Sequence, residues 1–287
     1  MSSVVAVVAA VGSALAYAVS TVVQHRTVGK ETAGRALDLR SLVRLALRPV
    51  WLLGLVAAAG GLGLHVLALS EGELSVVQPL LVSGLLFALP ASVLLERRRP
   101  SLAEWSWALL LVSSLGIFLI VGHPSAGHAP VDTDRLAVVV GVGILAVGVA
   151  SGAALAYVRH RAALLGLAAG VTYGLTAALI KEASARVRGV PAAVFSSWPL
   201  YALIVIGVVS LALTQAAYQA GSLAASLPPL TIADPIVAIL IGAVVFDERL
   251  SDNGAAVVGQ VIAFAAMTLA TVQLARRSTV PAAPSSQ

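Results

Sequence analysis

The sequence predicts an all-α, polytopic membrane protein of about nine transmembrane helices, with helices one to four and six to nine forming two inverted repeats. Three observations carry that prediction. The 287 residues are 59% hydrophobic and only 11% charged, with a mean hydropathy of +0.97. The apolar residues fall into runs of about 20, the length a helix needs to cross a bilayer core. Landmarks of the first half also recur, in order, in the second. Soluble domains are about half apolar and a quarter charged, and a fold of this size has too little interior to hide the excess. The excess must face lipid.

The predicted spans are Val4–Val23, Trp51–Leu69, Val76–Leu95, Ala103–Val121, Leu136–Tyr157, Ala162–Ile180, Leu200–Gln219, Leu223–Phe246 and Gly254–Leu274. They are too long for strands and lack alternation with period two. The first is expected to be retained, because Met1-Ser2-Ser3 lacks the positive region of a secretory signal. Between the first two spans, loop 24–50 carries Arg40, Arg44 and Arg48 at four-residue spacing, with Leu42, Val43, Leu45 and Leu47 among them. Such a segment is expected to lie amphipathically in the headgroup layer, its arginines meeting anionic lipid. Residues 1–122 are then a first transmembrane repeat, 123–161 a connector containing helix five, and 162–275 a second repeat. The tail 276–287, with Pro281, Pro284, Ser285 and Ser286, reads as disordered.

Charge sets the orientation. Loops after the odd-numbered helices hold most of the 18 basic residues, among them Arg26, Lys30, Arg35, the three loop arginines, Arg97–Arg99, Arg159, Arg161, Arg276 and Arg277. The other side holds Arg135, Lys181, Arg186, Arg188 and Arg249. The positive-inside bias predicts a multi-pass protein of the plasma (cytoplasmic) membrane, N-terminus outside and C-terminus cytoplasmic. The net charge of +5 and pI near 10.1 belong to these loops, so nucleic acid is not an expected partner. The absence of cysteine excludes disulfides, thiolate metal sites and cysteine nucleophiles.

The internal repeat is read from ordered correspondences. Ala10, Ala14 and Ala18 match Gly166, Gly170 and Gly174, and Tyr17 matches Tyr173. Pro49-Val50-Trp51 resembles Pro199-Leu200-Tyr201, and the corner Glu71-Gly72-Glu73-Leu74 resembles Ala220-Gly221-Ser222-Leu223. Pro79-Leu80 resembles Pro229-Leu230, and Glu96-Arg97 resembles Glu248-Arg249. With one odd helix as connector, the second copy enters the membrane from the opposite face, an architecture of many secondary transporters. The stripe Gly166, Gly170, Gly174 and the group Gly60, Gly61, Gly63 are expected to admit close helix packing.

Of 13 acidic residues, only Asp234 falls mid-span, in Thr231-Ile232-Ala233-Asp234-Pro235-Ile236. A charge there costs about 2.5–3.5 kcal/mol on insertion scales and so faces a cavity or a partner. Pro235 and Pro228-Pro229 free backbone carbonyls nearby. Asp234 is thus the candidate to bind a cation, exchange a proton or hold a cationic substrate, and it is the one candidate metal ligand; the alternative is a protonated acid bonded to a neighbouring helix. Thr214, Gln215 and Tyr218 in helix seven, His65 in helix two, and Gln78 and Ser83 in helix three are candidate pathway residues, each also readable as interhelical glue. Tyr17 and Tyr173 are candidate gate or rim residues. Lys181 is expected to snorkel to the interface. No phosphate loop, H-E-x-x-H or G-x-S-x-G occurs, so neither ATP-driven pumping by this chain nor enzymatic activity is expected, and no cofactor.

The chain resembles the drug/metabolite transporter (EamA-like) superfamily, and within it the NIPA-type magnesium transporters. The resemblance spans the first helix to about Leu274. It rests on the long loop before Trp51, on Leu74-Ser75-Val76-Val77-Gln78-Pro79-Leu80 running on to Leu95-Glu96-Arg97, on Val121-Gly122-His123-Pro124, and on Thr214-Gln215-Ala216-Ala217-Tyr218 followed by Pro228–Arg249. It implies nine helices, an external N-terminus and export of amino acids, metabolites or cationic drugs, with magnesium transport implied by the NIPA branch. Helix two lacks a carboxylate, a departure from what a magnesium pathway would favour. The expected function is a secondary transporter or facilitator of a small metabolite, drug-like cation or ion, with magnesium transport as the alternative. A membrane enzyme on lipid-linked substrates would need Glu96–Arg99 and Asp247–Arg249 together, yet this topology puts them on opposite faces. Expected partners are membrane lipids and a small-molecule or ion substrate, with a homodimer as candidate assembly.

Overall fold

The computed structural model describes residues 2–31, 49–84, 86–87, 101–122, 131–189, 194–221, 223–248 and 253–278. The amphipathic segment at Arg40–Arg48, the Glu96–Arg99 run, the His123-Pro124 corner, Arg249 and the tail beyond Ser278 lie outside them. Among the described residues every element is helical, as the long unalternating runs require. The helices are α1 (Ser2–Glu31), α2 (Pro49–Glu71), α3 (Leu74–Leu81), α4 (Leu102–Gly122), α5 (Thr133–Ala156), α6 (Arg161–Gly189), α7 (Trp198–Ala220), α8 (Leu223–Val245) and α9 (Gly254–Ser278), with a 3-10 turn Val158–His160 before α6. Seven of them, α2 and α4 through α9, are long and apolar enough to cross a membrane. The apolar stretch of α1, Val4–Ser20, is shorter, and the third predicted span is described only to Phe87.

Several helices outrun their apolar stretches. The expected loop 24–50 begins with helix as far as Glu31, α6 continues to Gly189 rather than Ile180, and α9 takes in the first residues of the expected tail. Hydropathy marks where lipid ends, whereas a helix ends where its backbone bonds or caps end. The caps are legible. Ser101 and Glu104 form a capping box at α4, Ser101 N–H donating to Glu104 Oε2 at 2.7 Å and Glu104 N–H to Ser101 Oγ at 3.2 Å. Asp132 accepts from Asp134 N–H ahead of α5, and Asn253 from Ala255 N–H at α9.

α3 is broken at depth. Pro79 has no N–H to continue the ladder, and the chain tightens into i→i−3 bonds, Val82 N–H to Pro79 O at 3.2 Å and Ser83 N–H to Leu80 O at 3.0 Å.

α1 packs along α2 and also against α3; α6 packs along α7 and α8; α8 meets α3, and α4 meets α9. α6 is the most enclosed span, while α5 turns Val138, Val142, Leu145 and Val149 outward as a lipid-facing helix does. Small residues permit the closest approaches. A Cβ at Gly170 would lie 2.5 Å from Leu230 O and 2.7 Å from the Ala233 Cβ, and one at Gly174 would lie 3.0 Å from Asp234 O. A Cβ at Gly166 would overlap Ser226 O. The predicted glycine stripe is therefore the seat of the proline-rich part of α8. The small residues of α1 are also buried: Ala10, Ala14 and Ala18 face inward, and Gly84 sits where a Cβ would lie 3.2 Å from Ala14 O.

Polar contacts fasten one end of the bundle, where α2, α6 and α8 end and α3 and α5 begin. Glu71 pairs with Arg188 at 2.6 Å, Glu182 with Arg186 at 2.7 Å and Asp247 with Arg135 at 3.5 Å. Glu182 also accepts from Val131 N–H at 3.0 Å, tying the start of α5 to α6. The first and third pairs are half exposed and contribute little each.

Candidate functional site

Two polar centres stand out within this frame. The first is a cavity of about 280 Å³ between α1, α3, α8 and α9. Ala14, Tyr17 and Ala18 line it from α1; Gln78 and Leu81, with Val82 and Gly84 just beyond, line it from the broken α3. Leu230, Thr231 and Asp234 come from α8 and Thr271 from α9. Asp234 occupies the middle of α8 as expected, and it points into the protein. Its Oδ1 is fully buried and has no hydrogen-bond partner. Thr271 Oγ1, buried at 2% exposure, is likewise unpartnered, as is the Oγ of buried Ser83 beside the lining residues. Unsatisfied buried polar atoms are scarce in folded proteins and cost more in lipid, so those of Asp234 and Thr271 mark the α8–α9 side of this otherwise largely apolar cavity as polar.

The backbone adds to this. Pro235 lacks the N–H that would bond the Thr231 carbonyl, which leaves an oxygen without its helical donor beside Asp234. The Thr231 hydroxyl is turned back to Leu227 O at 2.9 Å. α8 keeps helical form through all three prolines because α6 presses on it along the glycine stripe.

The other predicted residues divide into groups. Gln78 is buried, with its Nε2 3.3 Å from His65 Nε2, and the Tyr17 ring stands edge-on to His65, 6.5 Å between centroids. Tyr17 lies on the face left open by Gly61. Thr214 sits 3.3 Å from the Tyr173 hydroxyl and 2.8 Å from Ser210 O, and Ser210 lies 3.5 Å from Thr176, so a row of hydroxyls runs between α6 and α7. Gln215 is placed differently: it is exposed on the outer side of α7, away from the cavity. Gln215 and Tyr218, three apart, do not share one environment, since Tyr218 is half buried. Among the described residues no three His, Asp or Glu side chains gather as a metal-binding set.

The second centre corrects the expectation for Lys181. It does not snorkel. Its Nζ is 2.8 Å from Glu248 Oε1 and 2.9 Å from Gly72 O, over the Phe246 ring at 5.2 Å, and the side chains of the pair are 8% and 1% exposed. Glu248 also caps α3, accepting from Leu74 N–H at 2.8 Å, Ser75 N–H at 3.0 Å and Ser75 Oγ at 2.9 Å. Asp247, in the left-handed region at φ 53°, turns the chain after α8 so that Glu248 N–H returns to Gly242 O and the carboxylate faces α3. A Cβ at Gly242 would strike that carboxylate. One salt bridge thus joins the α2–α3 corner, α6 and the end of α8.

Over 285 residues the chain is 33% identical to an uncharacterised protein of Corynebacterium glutamicum, an alignment covering 98% of each chain. The chain belongs to the same family as that protein. No protein-family model and no solved structure matches it.

Proposed function

We propose that this chain, and with it the family it shares with the corynebacterial protein, is a secondary transporter or facilitator that carries a small solute across the plasma membrane. The observation that carries this reading is the cavity at mid-span, walled by α1 and α3 from the first half and α8 and α9 from the second, with Asp234 lining it and its Oδ1 buried without a partner. A binding site between repeats near the midplane is the arrangement of inverted-repeat carriers.

Two observations support the back-to-front repeat. The first helix of each half packs on the second and third of its own half, and the third and fourth helices of the halves meet their counterparts, α3 with α8 and α4 with α9. Direction agrees: α3 begins at the ionic end of the bundle, while its counterpart α8 finishes there. By charge we assign that end to the outside, because most of the basic residues belong to the other. The Lys181–Glu248 bridge and its neighbours then close the external face, with the cavity beneath. The likeness to drug/metabolite transporters fits this reading. A magnesium pathway fits less well, since magnesium wants near-octahedral oxygen ligation and, among the described lining residues, Asp234 alone is a carboxylate.

The test is reconstitution in liposomes with a substrate panel, measuring uptake and efflux with and without a pH gradient. Asp234→Asn is expected to lower the initial rate for the transported solute by about tenfold or more, a loss of at least ~1.4 kcal/mol of interaction. Wild-type rates for that variant at every pH would remove Asp234, and this reading with it.

A further inference from the structure

We infer that the cavity selects small primary amines: solutes with one ammonium head and a short apolar body, and no carboxylate. The inference rests on the transport reading for the cavity's role, but its chemistry comes from the walls. On one side two buried oxygens have no partner, Asp234 Oδ1 and Thr271 Oγ1, and Pro235 withholds the helical donor of the Thr231 carbonyl on the same helix as Asp234. A primary ammonium offers N–H donors and a positive charge and no acceptor, which suits a buried carboxylate beside a hydroxyl. On the other side, α1 and α3 present Ala14, Ala18, Leu81, Val82 and the Tyr17 ring, a surface for hydrocarbon.

The same walls exclude neighbouring classes. A quaternary ammonium brings charge but no donor, and would leave Asp234 Oδ1 and Thr271 Oγ1 buried without a hydrogen bond. A zwitterionic amino acid brings a carboxylate, and no Lys or Arg is among the described lining residues to receive it. A bare metal cation would leave the apolar wall empty. Volume adds a limit: about 280 Å³ falls just under the range of drug-sized pockets, roughly 300–1,000 Å³, so the body is small.

Binding is measured without transport, on the detergent-purified full chain, by calorimetry and thermal stabilisation with one isosteric series. Phenethylamine is compared with phenethyl alcohol, trimethyl(phenethyl)ammonium and phenylalanine, beside sodium and magnesium chloride. Phenethylamine alone is expected to bind and stabilise. Asp234→Asn should weaken it by at least about tenfold and Thr271→Val by several-fold, with both variants keeping the wild-type elution profile and helical signal. Equal or tighter binding of the trimethylated cation or of phenylalanine overturns the assignment, as does stabilisation by sodium or magnesium alone. The transport reading fails separately: amine binding without flux in liposomes sinks the carrier and leaves the amine site. Asp234-dependent flux of a solute that is not an amine does the reverse.

Discussion

Glu248→Ala is expected to destabilise the protein by about 3–5 kcal/mol, the range for breaking one side of a buried ion pair, and to do so more severely than Lys181→Met. The asymmetry follows from what each variant leaves behind. Without Lys181, the Glu248 carboxylate keeps three donors, Leu74 N–H, Ser75 N–H and Ser75 Oγ, all at the positive end of α3. Without Glu248, the Lys181 ammonium keeps only Gly72 O and the face of Phe246, and α3 loses its cap as well. The double variant Lys181→Met, Glu248→Met should recover most of the loss, because no buried charge remains, and should fall short of wild type by the missing cap, about 1 kcal/mol. Thermal unfolding midpoints of the four proteins in one detergent measure this. If the unfolding midpoint of Glu248→Ala is equal to or higher than that of Lys181→Met, the clamp does not hold the end of the bundle as its geometry requires.

That clamp also shows where sequence reading runs out. Asp234 was legible because it stands alone: one carboxylate amid a long apolar run has few places to go, and prolines on both sides marked irregular backbone. The glycine stripe was legible for a similar reason, since four-residue spacing puts Gly166, Gly170 and Gly174 on one face whatever the partner. The partner was not, and only the fold reveals that the stripe receives the stretch carrying Asp234. Lys181 was visible and misjudged, and Glu248 was visible only as the repeat match to Glu96 and as one of the charges an enzyme would need. A lysine near the end of a span usually reaches for water, and a glutamate after a span usually sits in it. Their 67-residue separation carries no local signal, and the bridge depends on the left-handed turn at Asp247 that aims the carboxylate back. Gln215 failed for the opposite reason. A small moment on a nearly uniform apolar helix says little about which side faces lipid, so a polar residue there gives no direction by itself. Thr231 and Thr271 are ordinary hydroxyls in sequence. Their meaning came from Pro235, which withholds a donor, and from the cavity that leaves Thr271 unpartnered.

Gly170→Ala is the smallest change with a large expected effect, and it connects packing to the site. The added methyl would sit 2.5 Å from Leu230 O, 2.7 Å from the Ala233 Cβ and 3.2 Å from Asp234 N, so the neighbour that must yield is backbone. Backbone cannot rotate aside as a flexible side chain can, so α6 and α8 must separate or shift. Overpacking of this kind costs about 1–3 kcal/mol, and because two helix backbones are involved the upper end is expected. Gly148→Ala supplies the control. Nothing lies within 4 Å of a Cβ there, and the better helix propensity of alanine makes that variant neutral or more stable by up to about 1 kcal/mol. The displaced segment runs from Leu230 to Asp234, which is the cavity wall, so Gly170→Ala should also weaken amine binding in the fraction that folds, while Gly148→Ala leaves it unchanged. Unfolding midpoints and calorimetric titrations of the two variants give both readouts. A folded Gly170→Ala protein of wild-type stability and affinity would mean that α6 does not press on α8, and that something other than the glycine stripe sets the depth and direction of Asp234.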